Sequence, residues 1–541
     1  MKTLITTLNA KYIHTALALR LLYVASYKHH DVDFKEYTIK DSLEHITNDL
    51  INMNLDVLAL SCYIWNVEYI QKLCAMLKQR QPELMIVIGG PEVTYEPKYF
   101  LENFDIDYVI SGEGEKVFPE LLEALENHQE VNIPGVSDIH HISQMITQVP
   151  LSYIEQLDSP YNLIQAQESQ SKRILYFETS RGCPFQCQYC LSSLEKGLRF
   201  FSEEYLKKQL DIVCHSQAKV IKFLDRSFNA NADHAIMILD YIFQNYTKGQ
   251  QYQFEINADV LNPRILEFIE QNAPVGLLRF EVGIQSTYEP TNKAVKRIQN
   301  FERLSEVVKR LMKSGKCDLH LDLIAGLPYE TFERFAKSFD DVFAFRAKEL
   351  QLGFLKLLRG TSLRNDADDY GYIYQEESPY EMLENKWLSH EDIENIHIAE
   401  DMLEKYWNSG RFFRTMTYIM DRQESPFYFF YHFGVYYKKQ GFKSIGYQID
   451  ELCTYLDSYM HDETVHYLLI LDYLTQFKTK PKKWYQPTLT NTERKEVIHY
   501  LVDEYQLNQE LLFRYALVEK LPQGYLVVVY KDMKCTWDIY K

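Results

Sequence analysis

Three cysteines, Cys183, Cys187 and Cys190, stand in the run Glu178-Thr-Ser-Arg-Gly-Cys-Pro-Phe-Gln-Cys-Gln-Tyr-Cys190, with three and then two residues between them. A four-iron cluster commonly takes four protein thiolates. This run supplies three, and no further cysteine lies within about twenty residues of it. One iron is then left for another ligand, and an open coordination position marks a catalytic metal site rather than a structural one. The bland alternatives are a zinc knuckle or buried thiols. Zinc favours paired C-x-x-C or Cys/His sets, and no nearby histidine completes one. The remaining cysteines, Cys62, Cys74, Cys214, Cys317, Cys453 and Cys535, have no ligand spacing and read as small core residues.

The spacing C-x3-C-x2-C, with the aromatic Tyr189 just before the last cysteine, resembles the signature of the radical S-adenosylmethionine (SAM) superfamily. The resemblance implies a [4Fe-4S] cluster on Cys183, Cys187 and Cys190. SAM would chelate the open iron, and electron transfer into its sulfonium would release a hydrogen-abstracting radical. Downstream, Glu255, Gln285, Arg297 and Asp322 follow in the order and similar spacing of the SAM-contacting residues of the coproporphyrinogen-dehydrogenase-like branch. By that resemblance they hold the ribose hydroxyls and the methionine carboxylate and amine, with Tyr189 beside them. Each taken singly reads equally as a structural hydrogen-bonder. Asp225, Arg226 and Asn229 close the second strand of the same region and can reach its mouth.

Elements must position these groups. Arg173 to Thr179 reads as a strand, which puts the cysteines on the loop after it. Strands follow at Lys219–Leu224, Tyr252–Asn257, Leu277–Gly283, Cys317–Ala325 and Lys348–Leu355, with helices between them. The alternation predicts parallel sheet; the count of six and an open (β/α)6 partial TIM barrel are what the family implies. Loops after barrel strands are where such folds keep their chemistry.

Ahead of this region, short apolar strands alternate with helices again: strands at Thr3–Leu8, Val32–Thr38, Asp56–Ser61, Leu84–Ile88 and Tyr108–Ser111, helices at Thr15–Lys28 and Val67–Arg80. That predicts a doubly wound, Rossmann-like parallel sheet, with ligands beyond the strand carboxyl ends. Two glycine-rich turns fall there, Gly89-Gly90-Pro91 and Gly112-Glu-Gly-Glu115. Neither is a dinucleotide fingerprint or a P-loop, and both also suit tight turns. Placed before a radical SAM core, this half is similar to the cobalamin-binding domain of cobalamin-dependent radical SAM enzymes. The similarity makes Ser61, Gly89, Gly90, Gly112, Glu113 and Gly114 candidates for the cobalamin pocket. The cobalt-ligating D-x-H-x-x-G motif is missing; Asp138 to Ser143 lacks its glycine and lies beyond the sheet. His14 reads as a solvated or capping imidazole, and Trp65 as core.

We therefore expect an α/β chain: residues 1–135 a cobalamin-binding-like domain, 136–170 a linker, 171–365 the partial barrel, and 366–541 a mainly helical domain of unassigned role. The aromatic stretches at Phe412–Met420 and Phe427–Gly434 read as core, and Gly524–Tyr530 as a strand that Lys534–Trp537 pairs. Net charge is −18, which argues against a nucleic-acid or anionic-membrane surface. No apolar run approaches a membrane span, the cysteines fit a reducing compartment, and the expected location is cytoplasmic. The resemblance implies methyl transfer as the leading reaction, on a small-molecule or peptide substrate, with a reductant such as flavodoxin or ferredoxin. A non-methylating rearrangement or cyclisation, with or without cobalamin, is the alternative, and an iron–sulfur sensor or adaptor is the alternative of another class.

Overall fold

The first sheet is six-stranded: β1 (Thr3–Asn9), β2 (Val32–Thr38), β3 (Val57–Ser61), β4 (Met85–Gly89), β5 (Tyr108–Ile110) and β6 (Val136–Ser137), in the spatial order β2-β1-β3-β4-β5-β6. The computed structural model describes residues 1–165, 170–195 and 197–541. Strands β1 to β5 pair in parallel, and β6 returns antiparallel to β5. Val57–Ser61 and the centre of β4 are buried on both faces, as parallel strands covered by helices must be. The order reverses between β1 and β3, so the crevice for a ligand opens beyond their carboxyl ends. The first helix runs Leu17–Ser26, shorter than its apolar pattern predicts. Its upstream neighbours are drawn off: the Thr15 hydroxyl donates to the Ile174 carbonyl at 2.8 Å, and the Ala16 amide to Glu36.

The stretch read as a connector supplies β6 and two short helices, Leu151–Ile154 and Pro160–Gln165; its residues 166–169 lie outside the described residues. The second sheet is also six-stranded: β7 (Ile174–Phe177), then, past the short pair β8 (Ser180–Arg181) and β9 (Arg199–Phe200), β10 (Val220–Phe223), β11 (Gln251–Ile256), β12 (Leu278–Gln285), β13 (Cys317–Ala325) and β14 (Glu349–Phe354). Its order, β14-β13-β12-β11-β10-β7, is that of an open barrel wound strand by strand. Burial alternates strictly along β11 to β13. The apolar set (Tyr252, Phe254, Phe280, Val282, Leu321, Leu323) is fully buried. The other set is polar: Gln253, Glu255, Arg279, Glu281, Gln285, His320 and Asp322. Side chains in a strand alternate between faces, so one face of this sheet is core and the other carries the chemistry.

The chain forms two compact units, Met1–Phe335 with Gln351–His390, and Ala336–Leu350 with Glu391–Lys541. The second unit packs helices around buried Phe427, Phe430, Phe433 and Tyr437, so its aromatic stripe is core, as its composition predicts. It ends in an antiparallel sheet of Ala516–Leu521, Gly524–Lys531 and Lys534–Tyr540. Among the described residues no helix is long and apolar enough to cross a membrane.

One glycine of the first sheet is dictated by packing. Gly90 has φ +112°, and a Cβ there would lie 2.5 Å from the Cys62 carbonyl oxygen. We expect Gly90→Ala to lower stability by about 1–3 kcal/mol, read as a fall in the urea midpoint at constant m-value.

Candidate active site

The cysteine loop is a lasso tied at its base. Ser180 and Arg181 of β8 pair antiparallel with Phe200 and Arg199 of β9, and Gly182 (φ +91°) has no room for a Cβ beneath the Gly197 carbonyl. Asp225, at the end of β10, anchors the base from below. It is buried and accepts the Thr179 amide at 3.1 Å and the Thr179 and Ser180 hydroxyls at 2.5 Å each. Two further contacts hold the loop itself: the Gln188 amide donates to the Val295 carbonyl at 3.0 Å, and the Leu363 amide donates to the Gln188 carbonyl at 3.1 Å.

Cys183, Cys187 and Cys190 are neighbours on this loop, and burial pushes the Cys183 thiol up while hydrogen bonds from Phe185 and Ser227 pull it back. Among the described residues no three His, Cys, Asp or Glu side chains converge as ligands of one metal ion.

Of the SAM-site candidates, Arg297 and Tyr189 meet on this loop. Arg297 reaches across it, with Nη1 3.4 Å from the Tyr189 hydroxyl and 4.0 Å from Cys187 Sγ; its other nitrogens donate to the Gly283 carbonyl and to Gln299. Gln285 folds back over Gly283, where a Cβ would collide with its amide nitrogen. It ends β12 at a register shift with φ +69°, a backbone strained for a non-glycine residue. Strand pairing sets Asp322 beside Gly283 and Glu255 beside Glu281. Burial raises both carboxyls; Arg226 and Lys222 oppose it at Glu255, and His320, 3.1 Å from Asp322, opposes it there.

The fit to SAM shows in what these residues leave unsatisfied. Buried acceptor oxygens without a hydrogen bond occur here: Gln285 Oε1 at the end of β12, Asn257 Oδ1 just past β11, Asp259 Oδ1 in the turn after it and Asn292 Oδ1 in the helix Glu289–Ala294. Orphaned buried acceptors are costly, and SAM brings the missing donors in its ribose hydroxyls, ammonium and adenine amine.

The six cobalamin candidates stand at the carboxyl ends of β3, β4 and β5, where such a sheet binds ligands. Several are already engaged. Gly90 packs on Cys62, and Gly112 pairs with Thr147, whose backbone also takes the Glu113 amide. The Glu113 carboxylate meets Arg181 and Arg199. Beyond β1 and β3, however, lie exposed Tyr12, Ile13 and Trp65, 58%, 41% and 42% accessible, with Tyr63 stacked on Trp65 at 4.4 Å. Trp65 is thus a surface ring of the crevice rather than core. Such an apolar rim fits the broad face of a corrin. His14 is neither free nor capping: Nδ1 lies 2.7 Å from the Tyr176 hydroxyl, and its segment pairs with the edge of β7.

Arg181 was not singled out by sequence reasoning. Its guanidinium is buried among Glu113 (3.3 Å), Glu115 (2.6 Å) and Glu178 (2.8 Å), joining the first sheet to the cysteine loop. A second tie is Arg359, which bonds Glu92 at 3.3 Å and Glu96 and donates to the Tyr380 hydroxyl at 3.0 Å.

Two predictions follow from this network. Arg181→Met strands buried carboxylates and should cost about 3–5 kcal/mol, seen in the urea midpoint. Burial lifts Asp225 to about 6. Its folded form therefore binds a proton that the unfolded chain releases, so its contribution to stability is full at low pH and is lost as pH rises through about 6. Neutral His234, held near 4 by burial, imposes the opposite trend, but equally on wild type and on Asp225→Asn. The difference in urea midpoint between the two, followed from pH 4 to 7, should shift towards the variant by about 2–3 kcal/mol.

With the geometry in place, the comparisons are informative. Residues 3–122 match the B12 binding domain, 177–342 the Radical SAM superfamily, and 368–523 a protein family of unknown function (DUF4080). The cobalamin-dependent radical SAM methyltransferase TokK of Streptomyces tokunonensis is 28% identical over 53% of this chain and 44% of its own length. The 2-(S-pantetheinyl)-carbapenam-3-carboxylate methyltransferase of Streptantibioticus cattleyicolor is 27% identical over 51% and 43%. The chain thus spans under half the length of these two relatives. Among solved structures, the cobalamin-dependent SAM radical enzyme OxsB superposes at TM-score 0.61 with 14% identity over 94% of this chain and 76% of that one. TsrM of Kitasatospora setae gives 0.57 with 15% identity over 70% and 79%; both likenesses concern the fold. The chain thus joins a B12-binding sheet to a radical SAM barrel that carries a three-thiol loop, and the cofactors these two domains take are a [4Fe-4S] cluster, SAM and cobalamin.

Proposed function

We propose that this chain is a methyltransferase that works on a small-molecule or peptide substrate, drawing electrons from a flavodoxin or ferredoxin. One observation carries the reading: Arg297 reaches from the Gly283 carbonyl, beside Gln285, to Tyr189 and Cys187 on the cysteine loop. The relatives TokK and the carbapenam methyltransferase are named for methyl transfer, which supports the choice of reaction. Magnesium-protoporphyrin IX monomethyl ester cyclase of Synechocystis, 26% identical over 44% of this chain, favours cyclisation as the second reading.

When bound, the cofactors supply one-electron cleavage of a sulfonium and a carrier for a methyl group. The protein's own part is placement. Cys183, Cys187 and Cys190 would hold the cluster, and Gln285, Glu255 and Asp322 would accept from the hydroxyls and ammonium of SAM. Arg297 braces Tyr189 and the loop from the Gly283 carbonyl, so its role is to hold the loop as well as to balance charge. On the polar face of the same sheet Lys222 is clamped on Glu281 at 2.9 Å.

Anaerobic reconstitution with iron, sulfide, SAM and hydroxocobalamin tests the reading. Methylated product together with 5′-deoxyadenosine supports it. 5′-Deoxyadenosine with cyclised, unmethylated product selects the second reading, and a cluster that never cleaves SAM rejects both. Cys183→Ala, Cys187→Ala and Cys190→Ala should each lose the chromophore and most of the iron. Gly283→Ala should keep its cluster yet displace Gln285. SAM affinity should then fall about tenfold, some 1.4 kcal/mol, by equilibrium dialysis.

A further inference from the structure

The Gly112-Glu-Gly-Glu115 turn lies at the carboxyl end of β5, on the cobalamin side, yet its carboxylates point into the cluster loop. Glu113 and Glu115 both bond Arg181, which stands two residues before Cys183. Glu113 also meets Arg199 at the other end of the lasso, and Arg199 donates to the Val149 carbonyl at 2.8 Å. Both ends of the loop are therefore held by one turn of the first sheet. The turn itself has little slack. Its glycine, Gly112, takes φ +96° with no room for a Cβ under Thr147, and the Thr147 hydroxyl spans the Ser111 and Glu113 carbonyls.

This network is more than a fastening. Glu115 is 6% exposed, and its Oε2 has no hydrogen bond. Arg181, two residues before Cys183, holds Glu113, Glu115 and Glu178, and Arg199 shares Glu113. Glu195 stands close enough to Glu113, Arg199 and Arg181 to feel their charges. A buried charge network that reaches within two residues of a cluster ligand acts on the cluster, because net charge and hydrogen bonding set its potential.

We propose that Arg181, gripped by Glu113 and Glu115, is a positioning residue that ties the cluster loop to the cobalamin-side turn, so that filling either cofactor site changes the affinity of the other. The inference rests on cobalamin binding by the first sheet. Coupling of this kind is reciprocal and commonly amounts to 5–150-fold.

The test uses the full chain. Hydroxocobalamin affinity is measured by equilibrium dialysis on cluster-free and cluster-loaded protein, for wild type, Glu115→Gln and the paired variant Glu115→Gln/Arg181→Gln. Cluster loading should tighten hydroxocobalamin about tenfold in wild type, and the ratio should fall to near one in Glu115→Gln. The cluster midpoint potential, followed by EPR without corrinoid, supplies a sign that a merely structural residue would not give. Glu115→Gln removes negative charge and should move the potential positive; Arg181→Gln should move it negative; the paired variant should return towards wild type. A wild-type ratio of one, a ratio unchanged in Glu115→Gln, or two single variants shifting the potential in the same direction would overturn the proposal. If Arg181→Gln does not fold, Glu115→Gln and the paired variant decide the sign. Failure of wild type to take up any corrinoid removes the cobalamin reading itself, and this inference with it.

Discussion

A buried guanidinium surrounded by carboxylates from two sheets is the constraint on which the rest of this molecule depends. Arg181 belongs to the strand that opens the cysteine loop, whereas Glu113 and Glu115 belong to the first sheet. An ion withdrawn from water must find opposite charge at close range, or the site does not form. The cysteine loop consequently cannot adopt its shape unless the first sheet is already beside it. Asp225 and the β8–β9 stem then fix the loop against the barrel. Chemistry that needs two large cofactors to meet is served by a loop that both domains build.

The barrel sheet solves a different problem. Its strands bury aromatic and branched residues on one face with complete regularity, and this releases the other face for charge. Lys222, Glu281, Arg279, His320 and Asp322 form a linked polar layer rather than a packed plug. Such a layer is tolerable because each charge has a partner within hydrogen-bonding range. Above it the pattern changes: Gly283 removes a side chain, Gln285 is forced into a left-handed backbone, and acceptors are left open. Strain and unsatisfied groups are concentrated where a ligand supplies compensation.

The glycine-rich turns carry two duties that their composition does not separate. Gly90 and Gly112 permit close backbone approach within the protein, and the residues following them reach the barrel. Glu92 accepts from Tyr380 and lies against Arg359, while Glu113 and Glu115 take Arg181. The turns are therefore joints between domains as well as rims of a crevice. The rings at that crevice, Tyr12, Tyr63 and Trp65, come from the loops after β1 and β3, where the strand order reverses.

What the sequence settled by itself were local periodicities and one spacing. Short apolar runs located the long strands of both sheets, continuous where both faces are buried and alternating where one face is polar. The cysteine run declared its chemistry because three ligands and their gaps are contiguous. Glu255, Gln285, Arg297 and Asp322 are scattered over the barrel, and only the resemblance to the coproporphyrinogen-dehydrogenase-like branch picked them out as a set. Only the tertiary structure decided that Glu113 faces a guanidinium, that Arg297 braces Tyr189 instead of standing open, that Trp65 lies at the surface, and that β8 and β9 tie the loop. Each of these depends on a partner far away in the chain, and an isolated glutamate or arginine in a sequence is indistinguishable from a solvated one. Charge complementarity acts through space, and nothing in the order of residues reports who the neighbour will be.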